Sequence, residues 1–230
     1  MVAPMRAVVP MLLKYLPNRT RRTFIVLGCP RGGTSLLAGT LNAAGVYMGR
    51  FRTLQYEDPE FRIPPPQASE AVERLAPVIR RRNVSRRYWG WKLPNNIYYI
   101  QRIQHLLIDP HFLFVYRDPL EIARSSANHD GRDWEEQRER LIEVAVRHTE
   151  KVRGFQASLQ SVHHVFQLEA IHADPPAFVD RMIHLLEPLC PNRERLLQFV
   201  NRDGGYHDHA GVPRRVRAGI AANSIRVKRR

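Results

Sequence analysis

Cysteine is nearly absent: Cys29 and Cys190 are the two among 230 residues. Two thiols make neither a disulfide framework nor a metal-ligand cluster. Free thiols fit a reducing cytosol. No uninterrupted apolar run approaches the ~20 residues needed to span a bilayer, which excludes a membrane bundle. The longest N-terminal candidate, Ala7 to Leu13, is interrupted by Pro10 and has no small-residue cleavage site. It does not read as a signal peptide, so a cytoplasmic location is expected. Glycine stands at 13 residues without a repeat, which excludes collagen. Lysine is scarce too: Lys14, Lys92, Lys151 and Lys228 are the four among 36 cationic residues.

What is present is an ordinary globular composition, 43% hydrophobic and 25% charged, on a chain long enough for one large domain. The net charge is +14, carried almost wholly by arginine. Such a charge points to an anionic partner. Arginine is a planar, fork-shaped donor suited to phosphate and sulfate. Charge alone does not choose among nucleic acid, a membrane surface, an acidic polymer and a nucleotide.

Apolar runs and breakers set out an alternating order. Residues 1–22 read as a lead-in ending in Arg19, Arg21 and Arg22. Thr23–Leu27 reads as a buried strand, Gly28–Gly33 as a loop and Thr34–Ala44 as a helix ended by Gly45. Residues 48–66 read as loop, closing on the stiff Pro64-Pro65-Pro66. A helix is expected over 67–82, strands over 88–92, 111–116 and 163–168, and helices over 95–107, 134–159, 175–187 and 192–200. Pro119 suits a first helical turn after Arg117-Asp118. The domain is placed at 23–212, with a basic tail over 213–230. Strands alternating with helices imply an α/β fold, a parallel sheet with helices on both faces.

Two motifs carry chemistry. The first is Gly28-Cys-Pro-Arg-Gly-Gly-Thr-Ser35, between a strand and a helix. Small residues admit an anion to the backbone, and the helix start offers free amides and a positive dipole end. The spacing nearly matches a nucleotide-phosphate loop, but Thr34 stands where its lysine belongs and the cation has moved back to Arg31. That change argues against an ordinary ATPase or GTPase. The second motif runs from Arg117-Asp-Pro119 to Ser125. Arg117 at a strand end and Ser125 on the next helix can converge on one anion. Both motifs then fall at the C-terminal edge of one parallel sheet, where open α/β sheets bind ligands.

Together these residues resemble the sulfotransferases that use 3′-phosphoadenosine-5′-phosphosulfate (PAPS). Pro30–Ser35 is similar to their 5′-phosphosulfate loop, and Phe112–Pro119 through Ser125 to their 3′-phosphate motif, whose arginine and serine stand eight positions apart. Trp91-Lys-Leu-Pro94 and Val165–Glu169 resemble later segments of the same family, so the likeness covers about residues 23–200. The resemblance implies the three-layer, P-loop-like sulfotransferase fold and sulfuryl transfer to a hydroxyl or amine. It implies that Arg31 and the amides of Gly32, Gly33, Thr34 and Ser35 meet the phosphosulfate, with Pro30 in the loop. Arg117 and Ser125 would hold the 3′-phosphate, and Lys92 would lie near the transferring group.

For the base the resemblance offers Glu57 in Tyr56–Phe61, with Asp58 as neighbouring rival and His129 as a further candidate. His163 and His164 are read as strand residues without a role. The family's C-terminal glycine-rich segment is poorly matched by Asn201–Tyr206, which leaves the adenine contacts and Arg202 unassigned. No metal is required and no ligand spacing is visible. The acceptor is expected to be a small molecule or glycan, a carbohydrate or glycolipid among them. It is read as anionic, because loops 48–66 and 80–87 and the basic tail would flank its site. The oligomeric state is not legible. A phosphate-loop kinase and a nucleic-acid-binding module are the alternatives, although nucleic acid is not the expected partner.

Overall fold

In a computed structural model, residues 21–51 and 55–201 are described. The lead-in over 1–20, the departure at Arg202–Tyr206, the boundary at 212 and the tail over 213–230 lie outside the described residues.

The apolar runs fold as expected. β1 (Arg22–Gly28), β2 (Tyr88–Lys92), β3 (Pro110–Tyr116) and β4 (His163–Gln167) form one sheet in the order β2-β1-β3-β4. Every pairing is parallel, with Ile25 opposite Trp91 on one side and Phe112 on the other. Central strands are apolar on consecutive residues because both faces are covered. Phe24, Val26, Leu113 and Val115 face one core, while Ile25, Leu27, Phe112 and Phe114 face the other.

The first core is closed by α1 (Thr34–Ala43) and, later in the chain, by the helices over Pro175–Leu186 and Arg193–Val200. The second is closed by α2 (Ala71–Ser85), α3 (Ile100–Ile103) and the long helix over Trp134–Ser158. Each fully buried Phe, Leu or Ile side chain in these layers contributes roughly 1.5–3 kcal/mol. The remaining elements complete the numbering: α4 (Pro119–Asp130), α5 (Trp134–Ser158), α6 (Leu168–Ala173), α7 (Pro175–Leu186) and α8 (Arg193–Val200).

Three readings need correction. The helix expected over 95–107 is broken into a 3-10 turn at Pro94–Tyr98, the short α3 and a further 3-10 turn at Gln104–Leu106. The helix expected to start at residue 67 begins with a 3-10 stretch, Pro65–Glu70, and turns α-helical at Ala71. The end of the expected fourth strand belongs to α6, which starts at Leu168.

The strand order places the site. The chain runs from β1 outward to β2, then returns to the other side of β1 for β3. The connections after β1 and β3 therefore leave the sheet in opposite directions and open a crevice between them, the topological switch point.

Candidate functional site

The loop after β1 fills that crevice. Gly33 caps α1 at φ 93°, a left-handed conformation that glycine adopts without cost. A Cβ there would lie 2.7 Å from Leu168 Cδ1, so the loop backbone packs directly on the Leu168 side chain of α6. Arg31 is also left-handed, at φ 65°. A non-glycine residue held there stores strain, which collects at functional sites. The Gly32 amide closes the turn by donating to the Cys29 carbonyl at 2.9 Å. Thr34 and Ser35 begin α1, where the first amides have no acceptor within the helix. Ser35 Oγ donates across to the Gln55 carbonyl at 3.2 Å. Cys29 is buried, which pushes its thiol up to about 12 and makes it inert.

The two sequence motifs meet. Arg31 Nε donates to Ser125 Oγ at 3.2 Å, and Arg117 Nη1 donates to the Arg31 carbonyl at 3.1 Å. Arg117 leaves the end of β3, and Ser125 lies two turns into α4. Asp118 fixes that helix start by accepting from the amides of Leu120 and Glu121 at 2.8 and 3.2 Å. A cleft of about 520 Å3 opens here, lined by Arg31, Arg117, Glu121, Arg124, Ser125, Asn128 and His129. Glu121 partly neutralises it, contacting Arg117 at 3.5 Å and Arg124 at 3.0 Å.

On the other side of the loop, β2 delivers Lys92, which is 3% exposed. Its Nζ donates to Glu57 Oε1 at 3.1 Å, and the two residues form an isolated parallel bridge. Burial pushes the Lys92 ammonium below the usual lysine range; the Glu57 carboxylate opposes that shift and Arg31 adds to it. A second cleft, of about 250 Å3, brings Lys92, Glu57, Arg31, Thr34 and Ser35 together with Gln55, Ser126, His129 and Asp130.

Asp58, the neighbour of Glu57, points the other way. It is fully buried, paired with the guanidinium of Arg82, and it accepts from the Glu60 amide at 3.1 Å. It reaches neither cleft, so it is no rival as a base. His129 does line both clefts, with Nδ1 3.0 Å from Asp130 Oδ1.

Sequence reasoning missed Arg124, Asn128, Ser126 and Gln55. The first three lie on α4 within one turn of Ser125, and helical spacing from Ser125 is the signal that could have found Asn128, three residues on. The arginines at 80–87 do not flank these clefts. Arg82 is buried against Asp58 and Glu60, Arg81 pairs with Glu60, and Arg86 lies over the Tyr47 ring. The Arg87 carbonyl accepts from Arg22 N, where β1 begins, at the opposite edge of the sheet. Among the described residues, no group of three or more His, Cys, Asp or Glu side chains is placed to hold a metal. Among the same residues no helix is long and apolar enough to cross a membrane.

The geometry defines a class: a parallel α/β protein with a glycine loop at its switch point and Arg31 in the loop instead of the usual lysine. No family model matches the sequence, and no curated protein is similar to it. Solved structures do align with it. The sulfotransferase domain of the Synechococcus PCC 7002 olefin synthase aligns at TM-score 0.56 and 15% identity, over 80% of this chain and 78% of that one. A sulfotransferase from Mycobacterium tuberculosis H37Rv aligns at TM-score 0.49 and 12% identity, over 87% and 77%. Retinol dehydratase, solved with androsterone and the inactive cofactor PAP, aligns at TM-score 0.46 and 16% identity, over 76% and 62%. The chain has the P-loop-like fold of the sulfotransferases, as the sequence motifs led one to expect.

Proposed function

We propose that this protein is a PAPS-dependent sulfotransferase, with one catalytic unit over 23–212. The observation that supports this best is the junction of the two motifs: Arg31 reaches Ser125, and Arg117 reaches Arg31, across the switch point. Three cationic or hydroxyl groups from separate elements thus converge beside a helix start, a chemistry suited to a donor with phosphate at both ends. Thr34 occupies the position where a phosphate-loop kinase carries lysine.

In this reading Arg117 and Ser125 hold the 3′-phosphate, and the amides of Gly33, Thr34 and Ser35 meet the phosphosulfate. Arg31 stands between the two. The acceptor oxygen attacks sulfur as the bond from sulfur to the 5′-phosphate oxygen breaks. The acceptor proton passes to the Glu57 carboxylate, and the products are a sulfate ester and 3′-phosphoadenosine-5′-phosphate (PAP). Arg31 and Lys92 stabilise the charge that gathers on the sulfuryl and leaving-phosphate oxygens. The acceptor is a small molecule or glycan bearing a hydroxyl or amine. Two free cysteines fit a reducing compartment, so a cytoplasmic location belongs to the same reading.

Calorimetry with PAP and with ATP tests the donor. PAP is expected to bind in preference; preference for ATP, or no binding of either, overturns the reading. Arg117→Ala should weaken PAP about 10- to 100-fold, the ~1.5–3 kcal/mol of hydrogen bonds to a charged group. Glu57→Gln should keep PAP affinity and lose about 10²- to 10⁴-fold in transfer rate. Full turnover in that variant would move the base to His129.

A further inference from the structure

The clefts on the two sides of the loop are polar, but a third continues from them and is not. It shares Pro30, Glu57 and Pro94 with the Lys92 cleft and no lining residue with the Arg117 cleft, and has a volume of about 480 Å3. That size suits a small organic molecule. Besides the three shared residues its walls are Arg62, Ile63, Pro64, Pro65, Leu93 and Tyr99. Four of the nine lining residues are proline and carry no backbone N–H. The Tyr99 hydroxyl is spent inside the fold, 2.8 Å from the Phe61 carbonyl and 2.6 Å from Asn96 Oδ1, so it offers its ring alone. The Arg62 amide is spent on the Pro59 carbonyl at 3.2 Å. The charged side chains of the cleft are Glu57 and Arg62, and they face each other at 3.5 Å.

We infer that this cleft takes the body of the acceptor, and that the acceptor is an alcohol or phenol on an apolar frame rather than a sugar. The inference rests on the sulfotransferase reading and gives that site a substrate class. Of its two charged side chains, Glu57 is the one shared with the Lys92 cleft, and it matches one hydroxyl. A sugar ring carries a hydroxyl on nearly every carbon. Against Ile63, Leu93 and a wall of prolines those hydroxyls lose their water partners and, beyond Glu57 and Arg62, find no side-chain donor or acceptor in exchange. An aliphatic or aromatic frame loses nothing there and gains burial.

The test separates donor from acceptor. PAP binding is measured first, by calorimetry. Transfer from labelled PAPS is then compared for 1-octanol, 2-naphthol, N-acetylglucosamine and a chondroitin oligosaccharide. The apolar alcohols are expected to exceed the sugars in kcat/KM by at least about 100-fold, the discrimination that a few unpaired hydroxyls produce. Pro65 is exposed at the start of a 3-10 turn, where an acidic residue is tolerated. Pro65→Asp should therefore fold, bind PAP as before and lose about tenfold in kcat/KM for 2-naphthol. If PAP binds but a sugar is preferred, or none of the four is sulfated, the acceptor inference falls and the donor reading stands. Unchanged 2-naphthol kinetics in Pro65→Asp would likewise overturn the placement of the acceptor. Failure of PAP to bind removes both.

Discussion

Lys92 is the residue on which the electrostatics of the site turn. Burial lowers its affinity for a proton, Glu57 restores part of it, and the Arg31 charge lowers it again. In the proposed reaction the ammonium form is the one that stabilises transferred negative charge. As pH rises through a value below the usual lysine range, that charge is lost. Transfer activity should therefore fall on the alkaline side earlier than an ordinary lysine would dictate. A pH profile of kcat/KM checks this, and Lys92→Arg, which stays charged, should push the alkaline limb upward. An alkaline limb left in place by Lys92→Arg would assign it to another group. Glu57 and Asp58 show how far a residue can be read from sequence. Adjacent carboxylates look alike in a string of letters. The chain enters them through Tyr56 at φ 56°, and only the fold decides that Asp58 turns inward to Arg82 while Glu57 turns to Lys92.

At the scale of elements, the start of α4 sets the distance between Arg117 and Ser125. Asp118 caps that start, and its own amide donates to Glu169 Oε1 of α6 at 3.2 Å. Asp118→Ala should cost about 1 kcal/mol of stability, measured by urea denaturation. It should also weaken PAP binding although Asp118 need not touch the ligand, because the helix that carries Ser125 loses its anchor. Asp118→Asn retains an acceptor for the same amides and should restore most of both. A cap effect on stability with no change in PAP affinity would mean that α4 is held by its packing on α5 alone. The strands and the long helices were legible because burial on two faces, or on one helical stripe, writes a period into the sequence. The break over 94–107 was not, since its side chains are taken up by contacts that periodicity does not show: Trp91 Nε1 donates to Asn96 Oδ1 at 2.9 Å inside the core, and the Tyr99 hydroxyl donates to the distant Phe61 carbonyl at 2.8 Å. The loop and the Arg117 motif were legible because glycine spacing and strand-end position carry their own chemistry. Arg124 and Asn128 went unread because polar residues on an exposed helix face look the same with or without a ligand beside them.

At the scale of the fold, the cations of the described residues do not form one surface. Arg31 and Arg117 gather at the C-terminal edge of the sheet, while Arg22 works at the opposite edge. There Arg22 Nε meets Asp109 Oδ2 at 3.2 Å, and Asp109 lies 3.5 Å from His111 Nε2. The His111 ring stacks on His164 with 11° between planes, and His111 Nδ1 is 3.4 Å from His164 Nε2. Desolvation, then the neighbouring His111, Arg181, His163 and Arg22, bring His164 down from 6.5 to about 4. Burial lowers His111 as well, against the pull of Asp109. Such histidines stay neutral in the fold but take up protons in the unfolded chain below the ordinary histidine value. The unfolded state then binds more protons, so stability must rise with pH in that window. Read downward, stability is lost as pH falls from 6.5 to about 4, and the loss is complete below the folded value. Thermal unfolding measured between pH 7 and 4 should therefore show a falling Tm. His164→Gln, which stays neutral at every pH, should flatten part of that fall without touching the clefts at the other edge, so PAP affinity at neutral pH should stay at the level of the parent chain. An equally steep fall in His164→Gln would place the acid sensitivity elsewhere.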